Sequence, residues 1–480
     1  VKNIGLTIRI ILALCVLLQC GCTVGPDYVR PTAVETMPTS FKEQQGWKVA
    51  QPQDGTITVR WWEIYQDPIL NSLVERVEIS NFSIASAEAR FRQARAAVQA
   101  AKAGYFPSLS AGASVTRSRS SGNLGTGKGG GSTITDFQLP LDLSWELDLW
   151  GRIRRGVEAS QASAQASAAD LAAITLSTQA ELASDYFQLR VLDAQKRLLD
   201  TTTAIFRKSL EMTNNRYNAG VAAKSDVLQA ETQFKSTEAQ MIDLGVQRAQ
   251  LEHAIALLLG QPPAAFSLPS TSLATAIPQI PTGLPSELLE RRPDIASSER
   301  MMAAANAQIG IAKAAYFPTV RLSAAAGLEA ASSVSWLTWP SRFWSVGSAV
   351  SDVLFDGGLR KAQSEQARAA YDATIAAYRA TVLTAFQEVE DNLAALRILE
   401  EETQVQDQAV QAAQQVVNIT TNQYQSGTVA YLNVLVAQTT ALANERTALG
   451  LVGRKLTASV LLVKALGGGW IPEEPKPRRP

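Results

Sequence analysis

The chain has 480 residues, with 44 basic and 44 acidic side chains and one histidine, so its formal net charge is zero. Charged residues make up only 18% of the chain, which leaves no basic stripe for nucleic acid and no acidic tail. His253 has none of the partners that acid–base chemistry needs, and one histidine with five methionines argues against a metal relay.

The sequence repeats itself. Ala101-Lys102-Ala103-Gly104-Tyr105-Phe106-Pro107 returns as Ala312-Lys313-Ala314-Ala315-Tyr316-Phe317-Pro318. Arg216-Tyr217 with Gly220, Val227, Leu228 and Ala230 returns as Gln423-Tyr424 with Gly427, Val434, Leu435 and Ala437. Copies about 207 to 211 residues apart imply two structural repeats, over 61–265 and 286–470.

At the N-terminus Lys2 and Arg9 precede an apolar run at 10–18, and Cys15, Cys20 and Cys22 all lie in the first two dozen residues. The pattern predicts a signal peptide over 1–21, and an ordinary one with incidental cysteines is the bland alternative. Cleavage before Cys22 leaves a single cysteine, at the first mature position. The stretch resembles a bacterial lipoprotein signal, although Gln19 stands where an aliphatic or small residue is usual. At about 0.8 kcal/mol per buried methylene, acyl chains on Cys22 would hold the chain in a bilayer. No cofactor is expected beyond that lipid. Thr23 rather than aspartate follows the cysteine, which favours the outer membrane. Residues 22–60, rich in Pro, Thr and Gln, read as a lipid-anchored extended strap. No later stretch of about 18 residues lacks polar interruptions, so any membrane span must be made of strands.

Helical periodicity starts at Asp67-Pro68, with Leu70, Leu73, Val74 and Val77 on one face, and predicts one helical run to about Ala103. The period then changes to two. Leu109, Ala111, Ala113 and Val115 alternate with small polar residues, and a Gly/Ser-rich loop fills 118–132. A return strand over 137–149 turns Phe137, Leu139, Leu141, Leu143, Trp145, Leu147 and Leu149 one way. Gln138, Asp142, Ser144, Glu146 and Asp148 face the other, while Pro140, with no N–H to donate, predicts a bulge or unpaired position. The second repeat predicts a matching hairpin over about 318–356, with Trp336 and Trp339 in its loop.

A soluble sandwich would alternate too, but the acidic opposite face, the aromatic ends and the strand lengths favour membrane-spanning strands. Asp142, Glu146 and Asp148 are then candidate lumen-facing acids that would favour cations or zwitterions. Four strands cannot close alone, because closed barrels need about eight. Two copies would give a barrel filled by side chains; three give twelve strands and room for water, and three are expected.

Proline is absent between Pro140 and Pro262 and again between Pro340 and Pro472. A helix from about Trp150 to Tyr217 would run roughly 100 Å, a length that needs a coiled-coil partner. The next segment supplies it, folding back at Gly220 and Gly427, with tips over about 216–228 and 423–435. Residues 266–285 read as a proline-rich linker and 471–480 as a disordered tail.

Lipidated, duplicated strand hairpins on long helical hairpins resemble the outer membrane factor family, the TolC-like channels, in their NodT-type lipoprotein branch. Cys22-Thr23-Val24-Gly25-Pro26-Asp27-Tyr28 is similar to that branch's mature start, and Trp61-Trp62 with Asp67-Pro68 to its first helix. Glu290-Arg291-Arg292-Pro293-Asp294-Ile295 is similar to the opening of its second repeat. The resemblance implies a mixed α and β membrane protein, a long α-helical barrel continuous with a transmembrane β-barrel, closed as a homotrimer. It further implies a non-enzymatic exit duct in the outer membrane of a Gram-negative bacterium, exporting drugs or other small molecules. An inner-membrane pump of the proton-driven resistance-nodulation-division type would drive it through a periplasmic adaptor. Ducts for metal ions or for type I protein secretion are rival readings, and a poreless coiled-coil lipoprotein is a rival of another class.

In this family the helical tips form the gate and meet the adaptor. The matching positions are Arg216, Tyr217, Gly220 and Asp226, then Tyr424, Gly427, Asn433 and Val436. Glycine suits a turn with positive φ, and Asp226 can accept a hydrogen bond from a hydroxyl such as that of Tyr424. Asn433 and Val436 stand where relatives carry carboxylates, and Val429 where TolC carries a basic residue. The implied gate is partly apolar, closed by packing and by the Asp226 contact.

Overall fold

The computed structural model describes residues 23–33, 40–44, 60–121, 133–271, 273, 278, 280 and 291–470. The expected signal peptide, Cys22, the C-terminal tail, Glu290, and most of the loop at 118–132 and the linker at 266–285 lie outside the described residues. The first repeat gives α1 (Pro68–Ser80), α2 (Phe82–Ala103), β1 (Ser108–Ala111), β2 (Ser114–Arg119), β3 (Thr133–Leu147), α3 (Arg152–Asn218) and α4 (Lys224–Leu258). The second gives α5 (Pro293–Ala314), β4 (Thr319–Ala330), β5 (Arg342–Ser351), α6 (Leu359–Gln425) and α7 (Tyr431–Ala465). Helices α3 and α6 have 67 residues each, α4 and α7 35 each, and all four boundaries shift by 207 (359 − 152, 425 − 218, 431 − 224, 465 − 258). No helix among the described residues is long and apolar enough to cross a membrane.

The described residues form two compact units, one drawn from Val1–Thr32, Phe91–Ser167 and Ser298–Tyr378, the other from Ala33–Arg90, Ala168–Ser297 and Arg379–Pro480. The first contains the sheet. β1 and β2 pair antiparallel with β3, β3 with β4, and β4 with β5, so β1/β2 and β5 are its edges. β3 ends at Leu147, short of the expected 149, because Asp148 leaves the ladder to cap α3.

Of the two expectations for Pro140, a bulge or an unpaired position, the first does not hold, and the second holds on the β1/β2 side alone. Pro140 stays in register, opposite Gly327 of β4. Its carbonyl accepts from the Gly112 amide at 3.0 Å, so its missing N–H also faces the first hairpin strand. There the ladder lapses, and the one strand expected over 109–115 becomes β1 and β2. Toward β4, residues 139 and 141 supply the bonds and pairing continues. A Cβ on Gly327 would lie 2.3 Å from the Leu139 carbonyl oxygen and 2.9 Å from the Pro140 Cα, so no larger residue fits opposite the proline.

The expected single run from 67 to 103 is two helices. Asn81 adopts an extended backbone, accepts from the Ser83 and Ile84 amides to cap α2, and donates from Nδ2 to the Leu258 carbonyl at 2.7 Å. Its second-repeat counterpart, Arg292, likewise donates to the Ala465 carbonyl at 3.0 Å, and also binds Asp294 through two bonds and Glu388 at 2.7 Å. Each repeat thus closes the end of its own 35-residue helix with the residue that precedes its 22-residue helix.

The core of the second unit forms around Trp61, Trp62, Tyr65, Leu70, Val74, Tyr186 and Phe187, all buried. Trp61 donates to Gln179 and Tyr186 to Asp67, whose other oxygen caps α1. Burial of the aromatic rings is thereby combined with satisfied polar edges.

Replacing Gly327 by Ala should destabilise the sheet by about 2 kcal/mol or more, since the clash is with backbone rather than a movable side chain. Thermal unfolding of the purified protein measures this, and a midpoint unchanged from that of the parent would contradict it.

Candidate functional site

The two hairpin tips are built alike. α3 ends with Gly220 at φ +76° and α6 with Gly427 at φ +78°. At each tip the glycine amide bonds back to a tyrosine carbonyl, Tyr217 or Tyr424, and the next amide to the preceding residue, Arg216 or Gln423. This is a Schellman closure, which requires a left-handed residue. Nothing lies within 4 Å of a Cβ on either glycine, so backbone conformation, not space, demands it.

Arg216 joins the two tips. Its Nη1 donates to the carbonyls of Tyr424 and Gln425 at 3.2 and 3.3 Å, and its guanidinium lies 4.6 Å from the Tyr424 ring centre. A cation thus sits on the C-terminal carbonyls of α6, where the helix dipole is negative. Tyr424 packs edge-on against Tyr431, their centroids 5.5 Å apart, over Ala230 and Val434. Burial, then Tyr424 and Asp226, push the Tyr431 hydroxyl up to about 12. Tyr217 is exposed, with Lys224 5.4 Å from its ring centre. Asn433 and Val436 are exposed on the first turns of α7.

The expected hydrogen bond from Tyr424 to Asp226 is not made within the chain. Asp226 is contacted by Ser225 at 3.5 Å, and the Tyr424 hydroxyl is buried without a partner. Arg216, placed at the tip by resemblance alone, makes the link instead. Its reach across 208 residues of sequence has no local signature.

Two of the three acids expected to face a lumen are engaged. Glu146 binds Arg152 at 2.8 Å. Asp148 accepts from the amides of Ile153 and Arg154 and from the Arg154 side chain, fixing the start of α3. Asp356 does the same for α6, accepting from the Gly358 and Arg360 amides and the Arg360 guanidinium. Asp142 is exposed, and its carboxylate has no partner among the described residues.

An ionic pair of clusters escaped the sequence reading. Buried Asp193 bridges Arg190 at 3.1 Å and Arg248 at 2.8 Å, and these arginines hold the carbonyls of Pro269 and Leu268. At positions 207 higher, Arg397 binds Glu43, and Lys455 binds Glu400. The constant offset between repeats was the signal that could have found them. Each cluster holds a segment from outside the long helices, 268–269 in one case and the 3-10 turn at Lys42–Gln44 in the other. On α3, before the first cluster, burial first and then Glu181 one turn earlier push Asp185 up to about 6. The second repeat carries Asn392 at the equivalent place.

A family model described as outer membrane efflux protein matches residues 73–261 and 284–468. The chain is 31% identical over 456 residues to the probable efflux pump outer membrane protein TtgC of Pseudomonas putida, covering 94% of this chain and 93% of that one. It is 31% identical over 479 residues to the pyoverdine export outer membrane protein OpmQ of Pseudomonas aeruginosa, covering 98% and 97%. Among solved structures it superposes on the outer-membrane channel OprN with a TM-score of 0.88, at 32% identity, over 94% of this chain and 100% of that one. The open state of the Neisseria gonorrhoeae MtrE outer membrane channel gives 0.80 at 27% identity, over 93% and 98%.

Two outcomes follow from the geometry. A raised folded-state pKa at Asp185 means that stability present at acid pH is lost as pH rises from about 4 through about 6. Asp185→Asn should therefore stabilise by about 1 to 2 kcal/mol at pH 7.5, after allowance for solvent screening, and by nothing at pH 4; a gain independent of pH would refute the linkage. Arg216→Ala should speed amide exchange at residues 425–428 about tenfold, with Arg216→Lys intermediate. Equal exchange in all three proteins would remove Arg216 from the tip closure.

Proposed function

This chain belongs to the outer membrane efflux protein family and is an outer membrane channel subunit of an efflux system, and we propose that three copies close one duct. Its fold is that of the TolC-like channels. The observation that carries the trimeric reading is the sheet, whose edges β1/β2 and β5 have no strand partner among the described residues. An open edge in hydrocarbon leaves N–H and C=O groups unsatisfied, at several kcal/mol each. Two neighbouring copies remove both edges, and twelve strands leave a water-filled interior.

The helices support association between copies. Exposed apolar residues recur as Ile242, Val246 and Leu257 on α4 and as Ile398, Val405, Val416 and Ile419 on α6. Steps of three, four, seven and eleven residues are those of a coiled-coil seam, and adjoining copies would cover them. The tips then meet around the axis, closed by Arg216 on Tyr424 and by the Tyr424–Tyr431 packing, and present Tyr217, Asp226, Asn433 and Val436 to a periplasmic adaptor. Energy comes from an inner-membrane pump reached through that adaptor; the duct itself is passive and has no catalytic step. Relatives named for toluene, solvent, antibiotic and pyoverdine export support small molecules as cargo. Acylation at Cys22 anchors the strap in the outer membrane.

The purified, detergent-solubilised protein should have the mass of three chains and conduct in planar bilayers, with Arg216→Ala raising single-channel conductance. A stable monomer, or a trimer that never conducts, would leave the poreless coiled-coil reading in its place. Deleting the gene should raise susceptibility to antibiotics, dyes or solvents at least severalfold, whereas sensitisation to metal ions alone would move the cargo to the rival class.

A further inference from the structure

The motif that first exposed the duplication, Lys-Ala-x-Tyr-Phe-Pro at 102–107 and 313–318, is used neither by the pore nor by the tips. In both repeats it closes a helix with the same turn. The Tyr105 and Phe106 amides bond to the carbonyls of Lys102 and Ala103, and the Tyr316 and Phe317 amides to those of Lys313 and Ala314. The strand begins directly after the proline, so the register puts both motifs at one end of the sheet, where Ser108 faces Ser144 and Thr319 faces Ser351.

The turns hold large rings outward. Phe106 is 71% exposed, and Tyr105, Tyr316 and Phe317 are exposed as well. A tryptophan braces each motif: Trp145 donates to the Tyr105 carbonyl at 3.0 Å, while Trp150 stacks on Phe317 at 4.8 Å and donates to the Pro318 carbonyl at 2.7 Å. At the same end Leu354 and Phe355 are 92% and 89% exposed. The strap arrives there too, with the Val24 amide bonded to the Trp150 carbonyl and Thr23 packed on Gly151.

Charge completes the pattern. Three arginines beside the motifs are neutralised, Arg152 by Glu146, Arg154 by Asp148 and Arg360 by Asp356. Lys102 and Lys313, in the last turns of α2 and α5, have no ion-pair partner among the described residues. An unpaired cation three residues before an outward tyrosine and phenylalanine, at the rim of a spanning sheet, matches a headgroup phosphate above a glycerol–acyl boundary.

We propose that each copy of the motif binds one phospholipid of the periplasmic leaflet, its lysine pairing with the phosphate and its rings lying against the upper acyl chain. This rests on the sheet spanning the membrane, and it makes the duplicated motif the device that sets insertion depth.

Native mass spectrometry of the full-length protein, titrated in detergent with phosphatidylglycerol or phosphatidylcholine, tests it. Up to two tightly held lipids per chain are expected, with phosphatidylglycerol preferred. Lys102→Gln with Lys313→Gln should weaken phosphatidylglycerol binding about tenfold and abolish the preference. Phe106→Ser with Phe317→Ser should weaken both lipids while the preference remains. Unchanged binding in both double variants overturns the proposal. So does displacement by millimolar inorganic phosphate, which would mark a free-anion site, or binding that appears only in Cys22→Ser, which would give the seat to the protein's own acyl chain. A protein that conducts but binds no lipid defeats this inference alone; one that never enters bilayers defeats the membrane reading beneath it.

Discussion

Hydrocarbon accepts no hydrogen bonds, and that one property governs this chain. Each strand in lipid must find its partners in other strands, yet two hairpins give a sheet with two raw edges. In the proposed trimer, neighbouring copies supply the partners those edges lack. The same constraint explains the Pro140–Gly327 pair: the proline's missing donor is turned toward the β1/β2 edge, and the glycine lets the ladder with β4 pass unbroken.

Duplication supplied the frame, and divergence supplied the chemistry. Helices of 67 and 35 residues recur at a constant offset, because the same closing turns and caps recur. Within that frame the same positions carry different charges. Asn81 and Arg292 cap equivalent helix ends, but only the arginine also recruits Glu388 and Asp294. Asp193 lies buried between two arginines, whereas its counterpart Glu400 is exposed and pairs with a single lysine. A buried bridged carboxylate costs more to desolvate and is lost harder when a partner goes, so the first repeat holds its extended segment by the stiffer clasp.

The tips show the same economy. One arginine, present in the first repeat and replaced by Gln423 in the second, spans from one hairpin to the carbonyl end of the other. A lysine could supply the charge there but not the planar face laid on Tyr424. The link runs one way only, since the second repeat has no guanidinium to return it.

Much of this was open to inspection in the sequence. Period-two alternation gave the hairpins, proline-free Ala- and Gln-rich stretches gave the long helices, and the recurring Tyr-x-x-Gly gave the tips, because each is fixed by forces within a few residues. Tertiary structure decided what depends on partners far along the chain. Asn81 could be recognised as a helix break only once the Leu258 carbonyl lay within reach. Asp148 reads as a strand residue until the start of α3 claims both its oxygens. The exchange of Asp226 for Arg216 as the linking residue turned on which side chain is long enough to reach carbonyls 208 residues away. Local periodicity fixes where elements form; which polar groups satisfy one another is settled only when those elements are brought together.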